Sequence, residues 1–158
     1  MIKLKGKVLG GTYGKYLSSY HHNNSLIFHA PENIYWHDKN WEGQGFWRLE
    51  WYELPNGDDV LCLYEQETPT PLEFEECPPL SSQKYIVKAS SYSSSNSLIK
   101  NVFGYGAVPN EELLYSIVIQ LENNFVHIIA GPVIEMKILD KHPELSHYDR
   151  LLFTTGNE

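Results

Sequence analysis

Seven histidines, His21, His22, His29, His37, His127, His142 and His147, carry the widest chemical repertoire in this chain. Imidazole ligates metals and moves protons near neutral pH. The spacing supports neither role. No HExxH, HxH or Cys/His array is present, so no metal site is expected. His37 and Asp38 are neighbours, and neighbours on a strand point to opposite faces. The only thiols are Cys62, in the apolar run VLCLY, and Cys77, in the loop-like EECPPL. No CxxC pair exists, and the sequence does not dictate a disulfide between them. GxSxG is missing. GGTYG at 10–14 lacks the Lys-Ser/Thr ending of a phosphate-cradling loop, so its glycines read as a turn or bulge after a first strand. Carboxylates are plentiful, but they cluster in loop-like sequence rather than in apolar strands that would raise a pKa. The expectation is a non-catalytic protein without cofactor. The alternative is an enzyme whose site converges from distant strands.

The charge pattern is more informative. From Leu49 to Gln83 there is no Lys or Arg, while Glu50, Glu53, Asp58, Asp59, Glu65, Glu67, Glu73, Glu75 and Glu76 supply nine negative charges. The chain nets −8, so the remainder sums to −8 + 9 = +1. Acidity therefore belongs to one segment. Such a surface repels phosphate and disfavours nucleic acid. It favours a basic protein, because a one-signed patch speeds encounter and rejects wrong partners.

All four tryptophans, Trp36, Trp41, Trp47 and Trp51, lie in the stretch IYWHDKNWEGQGFWRLEWYEL at 34–54, beside that segment. Alternation puts Trp47, Leu49 and Trp51 on one face, apolar enough to be core. Phe46, Arg48, Glu50 and Tyr52 share the other face, with the aromatic and charged mix of protein interfaces. Trp41, in DKNWEGQG, has no strand to bury it. Trp47 and Trp51 are expected to hold the fold. The expected partner-binding set is Trp41, Phe46, Glu50, Tyr52, Asp58, Asp59, Glu65, Glu67, Glu73, Glu75 and Glu76.

Short runs rich in Val, Ile, Tyr, Phe and Trp, bounded by Gly, Pro, Asn and Ser, must position these residues. They predict strands at 2–9, 25–30, 34–37, 46–54, 60–65, 84–89, 98–103, 114–121, 125–130 and 133–139. Asn56-Gly57 is a hairpin signal, and centring the turn there pairs Trp51 with Cys62 and Leu49 with Tyr64. Asn123-Asn124 marks a second turn, joining the strand of Tyr115, Ile117, Ile119 and Leu121 to that of Phe125, His127 and Ile129. Gly131-Pro132 then leads to Val133, Glu135 and Lys137 alternating with Ile134, Met136 and Ile138. Short helices are predicted at 110–114 and 143–152, the latter from the stripe Leu145, Tyr148, Leu151 and Leu152. NNSLIFHAPENI at 23–34 echoes NNFVHIIAGPVI at 123–134, most simply because two hairpins share turn chemistry. SSYSSSNS at 90–97 reads as a polar loop.

These elements predict one mainly β domain over 1–158, antiparallel and sandwich- or barrel-like, with one or two short helices. No apolar run is long enough to span a membrane as a helix, and MIKLKGKVLGG has no apolar core of signal-peptide length, so a cytoplasmic protein is expected. The function that fits is a protein-binding module with an acidic and aromatic surface. An inhibitor of the immunity type, which neutralises a basic protein such as a nuclease toxin, is an example. The alternative is a carbohydrate-binding β module, with exposed rings stacking on sugars.

Overall fold

β-branched and aromatic residues at alternate positions bury one strand face and leave the other for polar groups. Fourteen strands form on this pattern among the described residues. The computed structural model describes residues 4–23, 25–38, 45–81, 84–93, 98–107, 113–146 and 149–155. The first strands are β1 (Leu9–Gly14), β2 (Ser18–His22), β3 (Ser25–Ala30), β4 (Asn33–Asp38) and β5 (Phe46–Glu53). Next come β6 (Asp59–Gln66), β7 (Phe74–Glu76), β8 (Tyr85–Val87), β9 (Ser90–Ser93) and β10 (Asn101–Ala107). The last are β11 (Ser116–Gln120), β12 (Phe125–Ile129), β13 (Ile134–Leu139) and β14 (Asp149–Thr154).

Two antiparallel sheets carry the fold. One runs β6-β5-β4-β1-β9, the other β14-β10-β11-β12-β13-β3-β2, and β7-β8 is a separate two-stranded ribbon. A single core joins the two large sheets. Trp36, Trp47, Leu49, Ile34 and Leu61 of the first pack with Phe28, Val102, Ile117, Ile119, Ile128 and Met136 of the second. The chain passes between the two sheets from β1 to β2, from β3 to β4 at Pro31 and Glu32, and from β9 to β10, so the sandwich is stitched three times.

Several expectations are corrected. No helix occurs among the described residues. The stretch read as a helix at 143–152 ends instead in β14, which pairs with β10 from Asp149 to Thr154. Apolar residues spaced three and four apart suggested a helix there, but the sheet edge takes the segment. The helix read at 110–114 falls mostly outside the described residues. The glycine-rich GGTYG is itself strand rather than a turn following one. Its bulge is real, as a register shift between Leu9 and Thr12. Bulky rings lie across these glycines. A Cβ on Gly10 would sit 2.6 Å from the His37 Nδ1, and one on Gly11 2.6 Å from the Tyr13 ring. The first half of the serine-rich segment, Ser90–Ser93, is strand β9 against β1 rather than loop.

The first hairpin is offset by one residue from the expected pairing. Trp51 pairs with Leu61, Leu49 with Leu63 and Arg48 with Tyr64. The turn is the cause. The Gly57 amide donates to the Leu54 carbonyl at 2.8 Å, and the Leu54 amide to the Asp58 carbonyl at 2.7 Å. Pro55 and Asn56 are thus the centre of the turn, with Gly57 following at φ 89°. That is the three-residue loop with a left-handed glycine, and Pro suits its first position. The slip brings Leu61 and Leu63 to the core in place of Cys62 and Tyr64, so it improves burial. In the second hairpin the Leu121 amide donates to the Asn124 carbonyl, so the turn pivots on Glu122 and Asn123. Val126 and Ile128, not Phe125, His127 and Ile129, therefore join Ile117 and Ile119 in the core. The alternation of Ile134, Met136 and Ile138 inward is as expected.

Candidate functional site

Of the predicted interface residues, Glu50 and Tyr52 lie on β5, on the side of the first sheet turned away from the core. Trp47, Leu49 and Trp51 point inward. Trp47 and Leu49 are buried, and Trp51 packs at the core margin with its Nε1 donating to the Pro31 carbonyl at 3.0 Å. Arg48, Glu50 and Tyr52 therefore point outward. The register places Tyr35, Arg48 and Tyr64 in one row across β4, β5 and β6.

These side chains form a connected network. Arg48 Nε lies 2.9 Å from Glu50 Oε1, an ion pair whose geometry is not that of a linear hydrogen bond. The Arg48 guanidinium also lies 5.0 Å from the centroid of the Tyr64 ring. The Tyr52 hydroxyl donates to Glu50 Oε2 at 2.7 Å and sits 3.1 Å from the Tyr64 hydroxyl. Hydrogen bonding with Tyr64 and with Glu50 holds the Tyr52 phenol well above its ordinary value. Beneath them, burial pushes Tyr35 up to about 12, with Arg48 opposing. The Tyr52 phenol therefore stays protonated at neutral pH and acts as a donor to Glu50. The two outer rings remain open to solvent, Tyr52 at 44% and Tyr64 at 39% exposure.

The structure divides the remaining predicted residues. Phe46 is 1% exposed and so is no surface residue. Its end of the outer face is roofed by the β7-β8 ribbon. The Tyr85 ring centroid lies 6.0 Å from Phe46, and Phe74 meets Tyr85 edge-on at 5.2 Å. β8 lies within the strand expected at 84–89, whereas β7 was not legible in the sequence, because its three residues carry too little pattern. Trp41 lies outside the described residues. Glu50 is half-buried in the network. Asp58 is exposed at the hairpin turn and bonded to Asn56, and Asp59 is half-buried at the start of β6. Glu65, Glu67, Glu73 and Glu76 are exposed, as is Glu53. Glu75 is exposed but pairs with Lys88 Nζ at 2.6 Å. Glu50 and Glu75 are therefore paired within the chain. The others lie at the turn end of β6, at and just beyond its far end, and on and beside β7. Along the strands Tyr52 and Tyr64 thus sit between two acidic zones, although Glu53, Asp59 and Glu65 belong by register to the side of Trp47 and Trp51. Because β6 is the edge of its sheet, this surface is reachable from the side as well as from above.

A second polar cluster, which the sequence did not reveal, lies on the outer face of the other sheet. Ser116 Oγ and His127 Nε2 share a hydrogen bond of 2.9 Å. His29 Nε2 and Lys137 Nζ each lie 3.1 Å from Glu135 carboxylate oxygens. Burial pushes His127 down to about 4, and Lys137 and His142 add to this. Burial raises Glu135, but hydrogen bonds from His29 and Lys137 outweigh it and hold the carboxyl below its ordinary value. A cleft of about 790 Å³ opens here, with His127, Lys137, His142, Glu144 and Asp149 among its walls. The His142 ring fixes one wall by meeting Phe103 and Phe125 edge-on, each at 5.5 Å. A neutral imidazole beside a hydroxyl is the start of nucleophilic chemistry. Ser116, however, is 1% exposed, so its oxygen offers substrate no approach. The pair satisfies two polar groups under the segment that crosses this face. Matching partners on separate strands generated the cluster, and only the register could have shown it.

Among the described residues no group of three or more His, Cys, Asp or Glu is arranged to hold a metal ion. Cys62 and Cys77 are both free thiols. Among the described residues no helix is long and apolar enough to cross a membrane. No family model matches the chain, and no curated protein or solved structure matches it.

Proposed function

We propose that this protein is a non-catalytic binding module that takes a basic protein on the outer face of β5 and β6. One observation carries the reading: Tyr52 and Tyr64 stand exposed with their hydroxyls 3.1 Å apart, pinned by Glu50 and Arg48, between two groups of exposed acids. Tyrosines held in place lose little entropy on binding, and Tyr and Arg dominate interface energetics. The surrounding carboxylates supply steering rather than raw affinity. An inhibitor of a basic enzyme, of the kind that neutralises a nuclease toxin, fits this combination.

The test is affinity capture with the wild type and the Tyr52→Ala/Tyr64→Ala variant side by side, at low and high salt. A protein with a basic surface should be held by the wild type, released as salt rises, and lost by the variant. Retention that ignores both salt and the double substitution, or no difference between the two baits, removes the support for this face.

A further inference from the structure

The seven-stranded sheet has two edges, and they are unlike. β14 carries Asp149 and Arg150. β2 carries no charged residue, contains no proline, and is exposed along all five residues. Among the described residues no strand lies on its far side. Natural sheets usually guard an edge with charge, proline or a bulge. The edge of the first sheet at β6 shows such guarding. It is acidic, and the Leu61 amide there is already bonded to the Leu114 carbonyl at 2.8 Å. β2 is unguarded in a chain of net charge −8.

The hairpin settles which backbone groups of β2 face outward. His22 and Ser25 close the β2-β3 hairpin across a two-residue turn, with Asn23 at φ 48°. The pair flanking such a turn is hydrogen-bonded, and bonded and non-bonded pairs alternate along an antiparallel ladder. Tyr20 therefore bonds inward to Ile27, and Ser18 to His29. The amides and carbonyls of Ser19 and His21 point away from the sheet.

The geometry points to a second copy of this chain as the partner, with β2 pairing antiparallel to β2 about a two-fold axis at Tyr20. Ser19 then exchanges both backbone hydrogen bonds with His21 of the other copy, and the symmetry repeats this, giving four bonds. The sequence SSYHH is complementary to itself in this register. Ser18 faces His22, Ser19 faces His21, and Tyr20 faces Tyr20. Each serine hydroxyl meets an imidazole, and no like charges meet. The Tyr20 rings lie on one face of the joined sheet, where each already rests edge-on against its own His29 at 5.3 Å. Cross-strand aromatic pairs stabilise sheets. An isologous interface of this kind is closed and cannot propagate into fibres. It is small, so association is weak and depends on concentration. It uses the sheet opposite β5 and β6, and stands whether or not those strands bind a basic protein.

Two measurements test it. Amide hydrogen exchange on the wild-type protein should show Tyr20 protected at every concentration, whereas Ser19 and His21 gain protection as concentration rises. Sedimentation equilibrium up to about 1 mM, where weak interfaces still register, should show a monomer–dimer equilibrium. The Ser19→Glu/His21→Glu and Ser19→Lys/His21→Lys variants place like charges opposite each other, and each alone should remain monomeric. Mixed one to one, they should form a heterodimer. A wild type that stays monomeric to that limit overturns the proposal. So does protection at Ser19 and His21 that is independent of concentration, or a mixture that fails to associate while both variants are folded by circular dichroism.

Discussion

His127 shows how one buried side chain sets the response of the fold to acid. In the unfolded chain its imidazole takes up a proton near 6.5, but in the folded protein only near 4, because burial disfavours the charged ring. His37 behaves alike, held down to about 4 by burial between Gly10 and Phe46. Between those values the unfolded chain binds more protons, so stability falls as pH drops from about 6.5 toward 4. Glu135 acts in the same direction at lower pH. Its depressed carboxyl contributes stability above its ordinary value, and this is lost as the group protonates. Both histidines keep some solvent contact, so each contributes on the order of 1–2 kcal/mol across the window after screening is discounted. His127→Gln keeps a partner for Ser116 but cannot charge. Thermal melts from about pH 7 to pH 4.5 should show a smaller loss of Tm for this variant than for the wild type. Equal losses would mean that His127 takes up its proton in the fold as readily as in solution.

At the scale of elements, the outer strand β14 is held by a ring lying on a glycine. A Cβ at Gly104 would come 2.2 Å from the Phe153 ring, so the absence of a side chain on β10 is what lets β14 lie flat against it. Gly104→Ala should cost about 1–3 kcal/mol in chemical denaturation, as overpacking does. Adding Phe153→Ala should cost less than the sum of the two single changes, because the clash is gone. Such contacts were beyond the reach of the sequence, and so was β14 itself, whose Leu151 and Leu152 read as part of a helical stripe. Strands inside the sandwich were legible, because both neighbours impose alternation. Trp47, Leu49, Ile117, Ile119, Ile134 and Met136 all face inward as their spacing requires. The edge strand β6 and the roof strand β8 were legible too, but β2 and β9, which are mostly polar, and the three-residue β7 were not, and the glycines of β1 read as a turn. Pairing failed by one residue at the β5-β6 turn, where Asn56-Gly57 signalled a two-residue loop and Pro55 dictated a longer one. The outward set Arg48, Glu50 and Tyr52 survived that slip, since it depends on β5 alone. Phe46 did not, since only the ribbon above it decides its burial.

Over the whole molecule, negative charge is distributed unevenly. Exposed acids crowd around β6 and β7, where few cations offset them. Like charges held together destabilise the compact state. Glu67→Lys, Glu73→Lys and Glu76→Lys combined should leave Tm unchanged or higher at low salt, and should flatten its rise with added salt, in differential scanning calorimetry. A fall of Tm at low salt would show that these carboxylates are structurally engaged. The stitching of the two sheets has a different consequence. The Gly6 amide donates to the Ile99 carbonyl and the Ile99 amide to the Lys7 carbonyl, while the Thr155 amide donates to the Val102 carbonyl and the Thr155 hydroxyl accepts from the Val102 amide. The Lys5 ammonium spans the remaining gap to the Thr155 carbonyl at 2.9 Å. The two far ends of the described chain are thus moored to the same short stretch, residues 99–102, at the start of β10. Topologically the sandwich is close to a loop of string whose ends meet, and its order of strands need not start where it does. A few glycines joining residue 155 to residue 4, which keeps the buried Leu4, with a new opening cut between Asn56 and Gly57, should give a protein with the same sheets and a cooperative melt. Failure of that permutant to fold would show that the β5-β6 turn must close before the rest of the sandwich can assemble.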